Sequence, residues 1–306
     1  MGKINVIGIK RPIISVVVIT YNHLKYIRQT LDSVLAQKVD VEFEIVIGDD
    51  HSTDGTTDII AQYREKFPEL IKPVLQEKNH GDGTNTRCAV TACLGEYIAL
   101  CEGDDYWVDS GKLQKQYDFL KNNLSYSACT ALADVLYEDS GTLKRHSPMK
   151  RRLSLTRKDF LLGIKPDTRT CTKMYRKSPF VESYFKYDLS SIYARDNISR
   201  IIITENHKKI MVLNETMAVY RVHSNGAWSM KSKDYQRDKK ENDIECIRKL
   251  LPKREQKYLE FYTLVKKSEW EKNRLKKIML YASLIRSPII LGYYLLKKSL
   301  VRWNYC

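Results

Sequence analysis

Three carboxylates are crowded into the stretch CEGDDYW, at Glu102, Asp104 and Asp105. The stretch follows GEYIAL, whose apolar residues predict a buried strand. Neighbouring carboxylates repel one another, so such a cluster is either fully solvated or meets a cation. Mg²⁺ and Mn²⁺ prefer oxygen ligands and are often held by one or two carboxylates together with substrate phosphates. Because Gly103 permits a bend between Glu102 and Asp104, the stretch predicts a site for Mn²⁺ or Mg²⁺, with a solvated acidic turn as the alternative.

Two more polar stretches follow predicted strands. TYN at 20–22 comes after a β-branched run, and GDDHSTDGT at 48–56 comes after FEIVI. The carboxyl ends of parallel strands meet at one edge of a sheet, where ligands bind in open α/β folds. Carboxylates at that edge, here Asp49 and Asp50, can accept hydrogen bonds from a ribose or a base. The chain has neither a G-x-G-x-x-G fingerprint nor a P-loop, which excludes those two kinds of nucleotide site.

Two residues later in the chain are ambiguous when taken alone. His223 lies in YRVHSNG among turn residues, where it is either a structural histidine or a third ligand of a metal held by the carboxylates. Asp196 lies in YARDN at the start of a predicted helix, where a carboxylate ordinarily complements the helix dipole.

The elements that position these residues alternate between strand and helix. Apolar runs predict the strands 13–19, 43–47, 71–75 and EYIAL, with helical spacing of apolar residues between them. This alternation predicts an α/β fold with a mainly parallel central sheet flanked by helices. Beyond Trp107, the pattern predicts strands in SYSACTALADVLYED, TRTCTKMYR and KIMVL, a turn in GTLKRHSP, and charged helices over 232–277.

Four stretches taken together resemble a known family. SVVVITYN, EIVIGDDHSTDGT, GEYIALCEGDDYW followed by KLQKQ, and YRVHSNGAWS look like the family 2 glycosyltransferases with the GT-A fold, the bacterial group that builds surface polysaccharides. The resemblance covers roughly residues 13–230, and its first three motifs agree in order and spacing. It implies a GT-A catalytic domain over 1–230 and a basic helical extension over 231–306.

The resemblance implies which residues bind the nucleotide sugar. These are Thr20, Tyr21, Asn22, Asp50, Arg87, Glu102, Gly103 and Asp104. The first three match the motif beside the nucleotide, Asp50 matches the residue that contacts the base, and Arg87 would face the nucleotide or the diphosphate.

The resemblance also implies the metal ligands and the reaction. Glu102-Gly103-Asp104 stands where the family has its DxD motif, with Asp104 on the metal and Glu102 near the ribose or a metal-bound water. His223 matches the third metal ligand, and Asp196 falls where the family has its catalytic base. The implied reaction is inverting transfer from a nucleoside diphosphate sugar, with a UDP-sugar favoured, to a hydroxyl of a saccharide acceptor that we expect to be lipid-linked.

The charge of the chain is unevenly distributed. The net charge is +15 over 306 residues, but residues 231–306 hold 20 Lys/Arg against 9 Asp/Glu and so carry +11. Within this region 278–295 is apolar and is followed by Lys297, Lys298 and Arg302, yet Arg286 and Pro288 interrupt it, which argues against a membrane span. We expect 278–306 either to lie on an anionic membrane surface or to dock on protein.

Cysteine usage bears on the compartment. Seven cysteines with no CxxC pair favour reduced thiols over a disulfide framework or a zinc site. The amino-terminal MGKINVIGIKRPIISVVVIT is interrupted by Arg11 and Pro12 and predicts a strand rather than a signal peptide. We therefore expect a cytoplasmic protein, peripheral on the inner face of the membrane.

Two other function classes were weighed. A metal-dependent nucleotidyltransferase shares the carboxylates, but it needs a second metal or a basic triphosphate loop that the sequence does not show. A nucleic-acid-binding protein is suggested by the pI near 9.3. Against it, the positive charge is concentrated in the tail, and an acidic cleft repels phosphates unless a metal is present.

Overall fold

The computed structural model describes residues 11–147, 149–164, 166, 168–185, 195–224, 232–271, 276, 279, 283–285 and 287–305. The strands in these residues are β1 (Ile14–Thr20), β2 (Phe43–Asp49), β3 (Ile71–Leu75), β4 (Tyr97–Glu102), β5 (Tyr106–Trp107), β6 (Tyr126–Tyr137), β7 (Thr142–Lys144), β8 (Leu153–Thr156), β9 (Met174–Arg176) and β10 (Lys209–Val222). The α-helices in the same residues are α1 (Ile27–Leu35), α2 (Thr56–Lys66), α3 (Asp82–Ala92), α4 (Lys112–Asn122), α5 (Arg157–Leu161), α6 (Lys177–Phe185), α7 (Arg195–Ile203), α8 (Lys233–Leu250), α9 (Lys253–Trp270) and α10 (Pro288–Tyr305).

One mixed sheet runs through the molecule. Its strand order is β3-β2-β1-β4-β9-β6-β10-β5, with β7 beside β6 and β8 beside β10. The first four strands in that order are parallel, and so are β6 and β10. β9 runs antiparallel to both of its neighbours and joins these two parallel parts. The predicted α/β fold with a mainly parallel sheet is confirmed.

The strand β1 lies at the centre of the parallel part because of its composition. Its β-branched residues are buried on both faces, with Val16, Val17 and Val18 all inaccessible to solvent. Helices therefore cover the sheet on both sides, as a parallel strand of this kind requires. α1 packs one face through Ile27, Leu31 and Val34, while Ala89 and Val90 of α3 belong to the core on the other face.

Two predictions for the second half of the sheet are wrong, and a third is right in kind but too short. The stretch predicted as a turn contains β7. TRTCTKMYR, predicted as one strand, is a 3₁₀ turn at Thr170–Thr172 followed by the short β9. KIMVL, predicted as a short strand, begins the 14-residue β10. β10 pairs with β6, β8 and β5 along its length. The pairing with β6 shifts register near Thr216, so the strand continues through polar residues that look like a strand end in the sequence.

The helices α8 and α9 pack onto α5 and α7. Apolar residues of α8 and α9, among them Ile244, Ile247 and Leu259, join Leu161 of α5 and Ile201 of α7 in one buried cluster. The contact is close enough that a Cβ at Gly163 would lie 2.1 Å from the ring of Tyr262 in α9. In the part of the chain that the structure describes, no helix is both long and apolar enough to cross a bilayer.

Candidate functional site

The three polar stretches meet at one edge of the sheet, as predicted. In the ladder, Thr20 at the end of β1 lies opposite Asp49 at the end of β2. On the other side of β1, Ile19 lies opposite Glu102 at the end of β4. TYN, GDD and EGDD therefore lie at one edge of the sheet, and each is within one or two residues of the end of its strand.

The first motif joins the loops that follow β1 and β2. Asn22 adopts a left-handed conformation with φ of 55°, which Asn tolerates better than most residues. Its side-chain oxygen accepts the N–H of Thr53 at 2.8 Å, and its own N–H donates to Ser52 Oγ at 2.9 Å. Thr20 is buried, whereas Tyr21 is 43% exposed. Of the three predicted nucleotide contacts in TYN, Tyr21 is the most accessible and Asn22 is engaged with the neighbouring loop.

Asp50 closes the loop that precedes α3. Its two carboxylate oxygens accept the backbone N–H groups of His80 and Gly81, each at 2.8 Å. The side chain is buried, and its neighbour Asp49 accepts hydrogen bonds from Ser52 and Thr57. Each oxygen of Asp50 retains a second lone pair, so the residue can hold this loop and still accept from a ligand.

Arg87 lies in the second turn of α3 and is exposed. Its guanidinium carbon lies 4.4 Å from the centroid of the Phe185 ring in α6. This contact links α3 to α6 rather than to the carboxylates of EGDD.

Asp104 lies between two histidines. Its Oδ2 is 3.0 Å from Nε2 of His223, which directly follows β10, and 3.7 Å from Nε2 of His23, which follows β1. The side chains of His23 and Asp104 are 18% and 20% exposed, whereas that of His223 is 3% exposed. We call these three residues the open cluster, because solvent reaches two of them.

The electrostatics of the open cluster favour an ionised Asp104 carboxylate and a neutral His23 imidazole. Burial opposes ionisation of Asp104, but the hydrogen bond from His223 and the proximity of His23 outweigh it and lower the pKa of Asp104. Burial also lowers the pKa of His23, against the opposing effect of the Asp104 carboxylate. Neutral imidazole is the form of histidine that binds metals.

Glu102 and Asp105 form a second group with Cys171, which we call the closed cluster. One atom of each, a carboxylate oxygen or the thiol sulfur, lies within 4.8 Å of the others. Oδ1 of Asp105 accepts the backbone N–H of Arg221 at 2.8 Å, while Oδ2 of Asp105 and Oε2 of Glu102 are buried and have no hydrogen-bond partner among the described residues. Burial and the nearby Asp104 raise the pKa of Glu102 to about 7 and raise that of Asp105 well above its usual range.

Gly103 allows the two clusters to diverge. A Cβ at this position would lie 2.6 Å from Thr20 Oγ1 and 2.9 Å from His23 Nδ1. The predicted role of this glycine was a bend that joins Glu102 and Asp104 in one site. In the structure, Asp104 lies in the open cluster and Glu102 in the closed one.

Two residues at this edge, His23 and Arg221, are not among the predicted site residues. His23 directly follows TYN, and this position beside a strand-end motif could have marked it as a candidate site residue. Arg221 donates its backbone N–H to Asp105, and its guanidinium bonds Glu138 and Gln29. No local pattern predicts that arrangement, because the partners come from three separate segments.

Asp196 is the second residue of α7. Its side chain is outside the part of the chain that the structure describes, so its predicted role as the base stays a prediction. α7 packs with α5 and α6, on the helical side of the molecule that also receives α8 and α9.

The open cluster fits a divalent metal ion. It offers one carboxylate oxygen and two imidazole nitrogens from three separate segments, all within 4.8 Å of one another. Such mixed oxygen and nitrogen donors suit divalent transition metals. The exposed side of the cluster leaves room for ligands from a substrate.

The family is shown by comparison with known proteins. Residues 15–183, more than half of the chain, match the model described as Glycosyl transferase family 2. The "Uncharacterized protein Rv1520" of Mycobacterium tuberculosis is 36% identical over 214 residues, which cover 70% of this chain and 60% of that protein. The Poly(ribitol-phosphate) beta-N-acetylglucosaminyltransferase TarS of Staphylococcus aureus is 30% identical over 217 residues, which cover 69% of this chain and 36% of TarS. The chain thus spans 60% or less of these two relatives.

Solved structures agree with the predicted fold. S. aureus TarS 1-349 in complex with UDP-GlcNAc superposes with a TM-score of 0.61 at 20% identity, covering 95% of this chain and 89% of that one. The mannosyltransferase PcManGT of Pyrobaculum calidifontis, in complex with GDP-Man and Mn²⁺, gives a TM-score of 0.55 at 14% identity and covers 96% and 85%. The fold is therefore the GT-A fold with flanking and carboxyl-terminal helices, and the chain belongs to glycosyl transferase family 2.

Proposed function

We propose that this protein is a metal-dependent, inverting glycosyltransferase that moves a sugar from a nucleoside diphosphate sugar to a hydroxyl of a saccharide acceptor. The observation that carries the proposal is the open cluster at the carboxyl edge of β1 and β4, in a chain of glycosyl transferase family 2. Ligands of open α/β sheets bind at that edge. The carboxylate and imidazole donors there suit an ion that would meet a diphosphate.

Asp104 and His223 are the proposed metal ligands, for Mn²⁺ or Mg²⁺. Their 3.0 Å contact and their position on two different strand ends support this role. Such an ion supplies positive charge against a departing diphosphate. Glu102 is proposed to accept a hydrogen bond from the ribose or from a metal-bound water, since its Oε2 has no hydrogen-bond partner in the described part of the chain.

The nucleotide is proposed to lie along the ends of β1 and β2, beside Thr20, Tyr21, Asn22, Asp50 and Arg87. The exposure of Tyr21 and the free lone pairs of Asp50 support this placement. A UDP-sugar is favoured because TarS, a relative by sequence and by structure, was solved with UDP-GlcNAc.

The proposed catalytic base is Asp196. The inverting reaction needs a carboxylate that takes the proton of the acceptor hydroxyl as the hydroxyl attacks, which contributes about 10² to 10⁴ in rate. Asp196→Asn is therefore expected to cut turnover by about that factor and to leave nucleotide affinity unchanged. If the variant keeps near-native turnover, Asp196 is not the base.

The acceptor is proposed to be a lipid-linked saccharide in capsule, exopolysaccharide or lipopolysaccharide synthesis, reached from the cytoplasmic face of the membrane. We propose a catalytic domain over 1–230 and a membrane-associating extension over 231–306. Two apolar side chains of α10 support membrane contact: Ile289 and Leu296 are 84% and 62% exposed. They are seven residues apart, so they share one helix face, and Lys297 and Lys298 follow them.

Vesicle flotation tests the membrane contact. Replacing both Ile289 and Leu296 with Ser is expected to reduce binding to anionic vesicles. Leu124→Ser removes an equally apolar side chain, 70% exposed, from the turn before β6 and should change nothing. Equal flotation of all three proteins would remove α10 as the contact surface.

Isothermal titration with UDP, GDP and dTDP, each with and without Mn²⁺, tests the proposed function. One nucleotide is expected to bind only with the metal, and Asp104→Ala is expected to abolish this binding. Asp118→Ala is the matched control, since Asp118 is exposed in α4 and its carboxylate accepts only from Gln114 among the described hydrogen bonds. If no nucleotide binds the wild type under any condition, the proposed function is wrong.

A further inference from the structure

We propose that His23 is a third protein ligand of the divalent metal and that its imidazole, together with that of His223, makes the site select transition metals over Mg²⁺. The inference rests on the proposed function, since it assumes that Asp104 and His223 hold a metal. It adds a ligand from the first strand-end motif and a preference among metals.

The positions of the ligand atoms support a shared ion. Two ligands at about 2.1 Å from one metal lie about 3 Å apart when adjacent and about 4.2 Å apart when opposite. Oδ2 of Asp104 is 3.0 Å from His223 Nε2 and 3.7 Å from His23 Nε2. One ligand atom from each of the three residues lies within 4.8 Å of the others. Small side-chain adjustments would bring these atoms onto one ion.

His23 is held as a metal-ligating histidine usually is. Such a residue donates its second ring N–H to an acceptor, which fixes the ring and leaves the other nitrogen for the metal. Thr20 Oγ1 lies 3.1 Å from Nδ1 of His23, so Thr20 can fill that role while Nε2 faces Asp104. Thr20 is buried at the end of β1, which makes it a rigid support.

The lack of a side chain at 103 makes room for this support. A Cβ there would lie 2.7 Å from Thr20 Cβ and 2.9 Å from His23 Nδ1. TYNH and EGD are therefore complementary in shape: the glycine of the second motif accommodates the threonine and histidine of the first.

The donor set determines the preferred ion. Mg²⁺ demands oxygen ligands in near-ideal octahedral geometry, whereas imidazole nitrogens suit transition metals, whose affinity rises from Mn²⁺ towards Cu²⁺. With two nitrogens among three protein ligands, the site is expected to bind Mn²⁺ more tightly than Mg²⁺ and Co²⁺ more tightly than Mn²⁺. Replacing one nitrogen ligand should reduce the difference between the affinities of the site for Mn²⁺ and for Mg²⁺.

Two substitutions separate ligation from packing. The amide of Asn extends about as far as Nδ1, so His23→Asn keeps a polar group beside Thr20 and removes the Nε2 ligand. The amide of Gln extends about as far as Nε2, so His23→Gln offers an oxygen there instead. His207→Asn is the matched control, because His207 is exposed at the turn that leads into β10, at the opposite end of that strand from His223.

Titration with Mn²⁺ and with Mg²⁺, each alone and with UDP, gives the first readout. His23→Asn should weaken Mn²⁺ binding at least about tenfold and should weaken Mg²⁺ binding less. About tenfold is the smallest loss of metal affinity that is typical even for residues that only support a metal ligand. His23→Gln should recover part of the Mn²⁺ affinity and lower the ratio of Mn²⁺ to Mg²⁺ affinity. His207→Asn should match the wild type.

Electron spin-echo modulation of bound Mn²⁺ gives the second readout, because it detects coordinated imidazole nitrogens. The wild type should show two such nitrogens and His23→Asn one. A single nitrogen in the wild type would overturn the proposal without the use of any variant. Unchanged Mn²⁺ affinity in His23→Asn, with loss in Asp104→Ala, would also overturn it and leave the proposed function standing. A wild type that binds no Mn²⁺ with or without UDP would overturn both.

Discussion

The open and closed clusters share the stretch Glu102–Asp105, which supplies Asp104 to the open cluster and Glu102 and Asp105 to the closed one, and they differ in exposure and in hydrogen-bond partners. Asp104 is a fifth exposed and meets two imidazoles, while Asp105 is 1% exposed and uses one oxygen on a backbone N–H. Burial dominates in the closed cluster and raises its carboxyl pKa values, whereas hydrogen bonding and nearby imidazoles lower that of Asp104. Adjacent carboxylates therefore acquire different chemistry from the direction in which each one points.

The largest expected effect is the difference in turnover between Asp104→Asn and Asp105→Asn. Loss of the Asp104 charge should lower turnover by about 10² to 10³, the range for removing one electrostatic contact at a reacting charge. Asp105→Asn should lower it by less than about tenfold, because its amide oxygen can still accept the N–H of Arg221. Turnover is measured as UDP release from the donor, at saturating Mn²⁺. Equal losses would mean that the two clusters act as one.

Gly103→Ala is expected to damage both clusters through sterics. Its Cβ would lie 2.6 Å from Thr20 Oγ1, so the substitution should cost about 1–3 kcal/mol of unfolding free energy and weaken Mn²⁺ binding. Urea unfolding and metal titration measure the two effects. Gly111→Ala is the control, since the closest atom to its Cβ would be 3.3 Å away. A Gly103→Ala protein with native stability would show that the contact relaxes at little cost.

Asp105→Ala tests whether the closed cluster is structural. It removes the acceptor of a buried backbone N–H, that of Arg221, which should cost about 1–3 kcal/mol. Asp105→Asn should retain most of the unfolding free energy, since its oxygen keeps that bond and its amide can donate towards the unpartnered Glu102 oxygen. Urea unfolding of the two variants distinguishes the roles. If both variants are equally destabilised, the lost negative charge and not the lost hydrogen bond is responsible.

The ion pairs of surface carboxylates are expected to contribute least to the unfolding free energy. Lys115 Nζ pairs with Asp109 at 2.7 Å and with Glu215 at 2.6 Å, and its side chain is 45% exposed. Lys115→Met is expected to change the unfolding free energy by at most about 1 kcal/mol, and by less at high salt. Unfolding measured at low and high salt checks this. A larger loss of unfolding free energy that does not depend on salt would mean that these carboxylates behave like the buried ones.

Much of the parallel half could be predicted from local patterns. The strands β1 to β4 and the helices between them were found because a buried parallel strand needs a continuous apolar run and a covering helix needs apolar residues at helical spacing. The meeting of the three polar stretches at one edge followed from strand direction. The second half resisted prediction because its strands β7 to β10 are defined by their partners, which lie up to 113 residues away in the chain, as for Val219 and Tyr106.

The candidate site was predicted in part. Asp104 and His223 were expected together and lie 3.0 Å apart, although 119 residues separate them. His23 was missed although it directly follows TYN, because a position beside a strand end does not show which residues the side chain faces. The division of Glu102 from Asp104 was missed because the sequence shows that Gly103 permits a bend but not which way each side chain turns.

The sequence by itself determined the alternation of strands and helices, the positions of the strand-end motifs and the basic character of the tail. These features follow from hydrophobic periodicity and charge, which are local properties. Only the tertiary structure decided which carboxylate meets the histidines, which is buried, and where α8 and α9 dock. The reason is that the exposure and hydrogen-bond partners of a side chain depend on segments distant in sequence, and these environments, rather than residue type alone, set pKa values and metal preference.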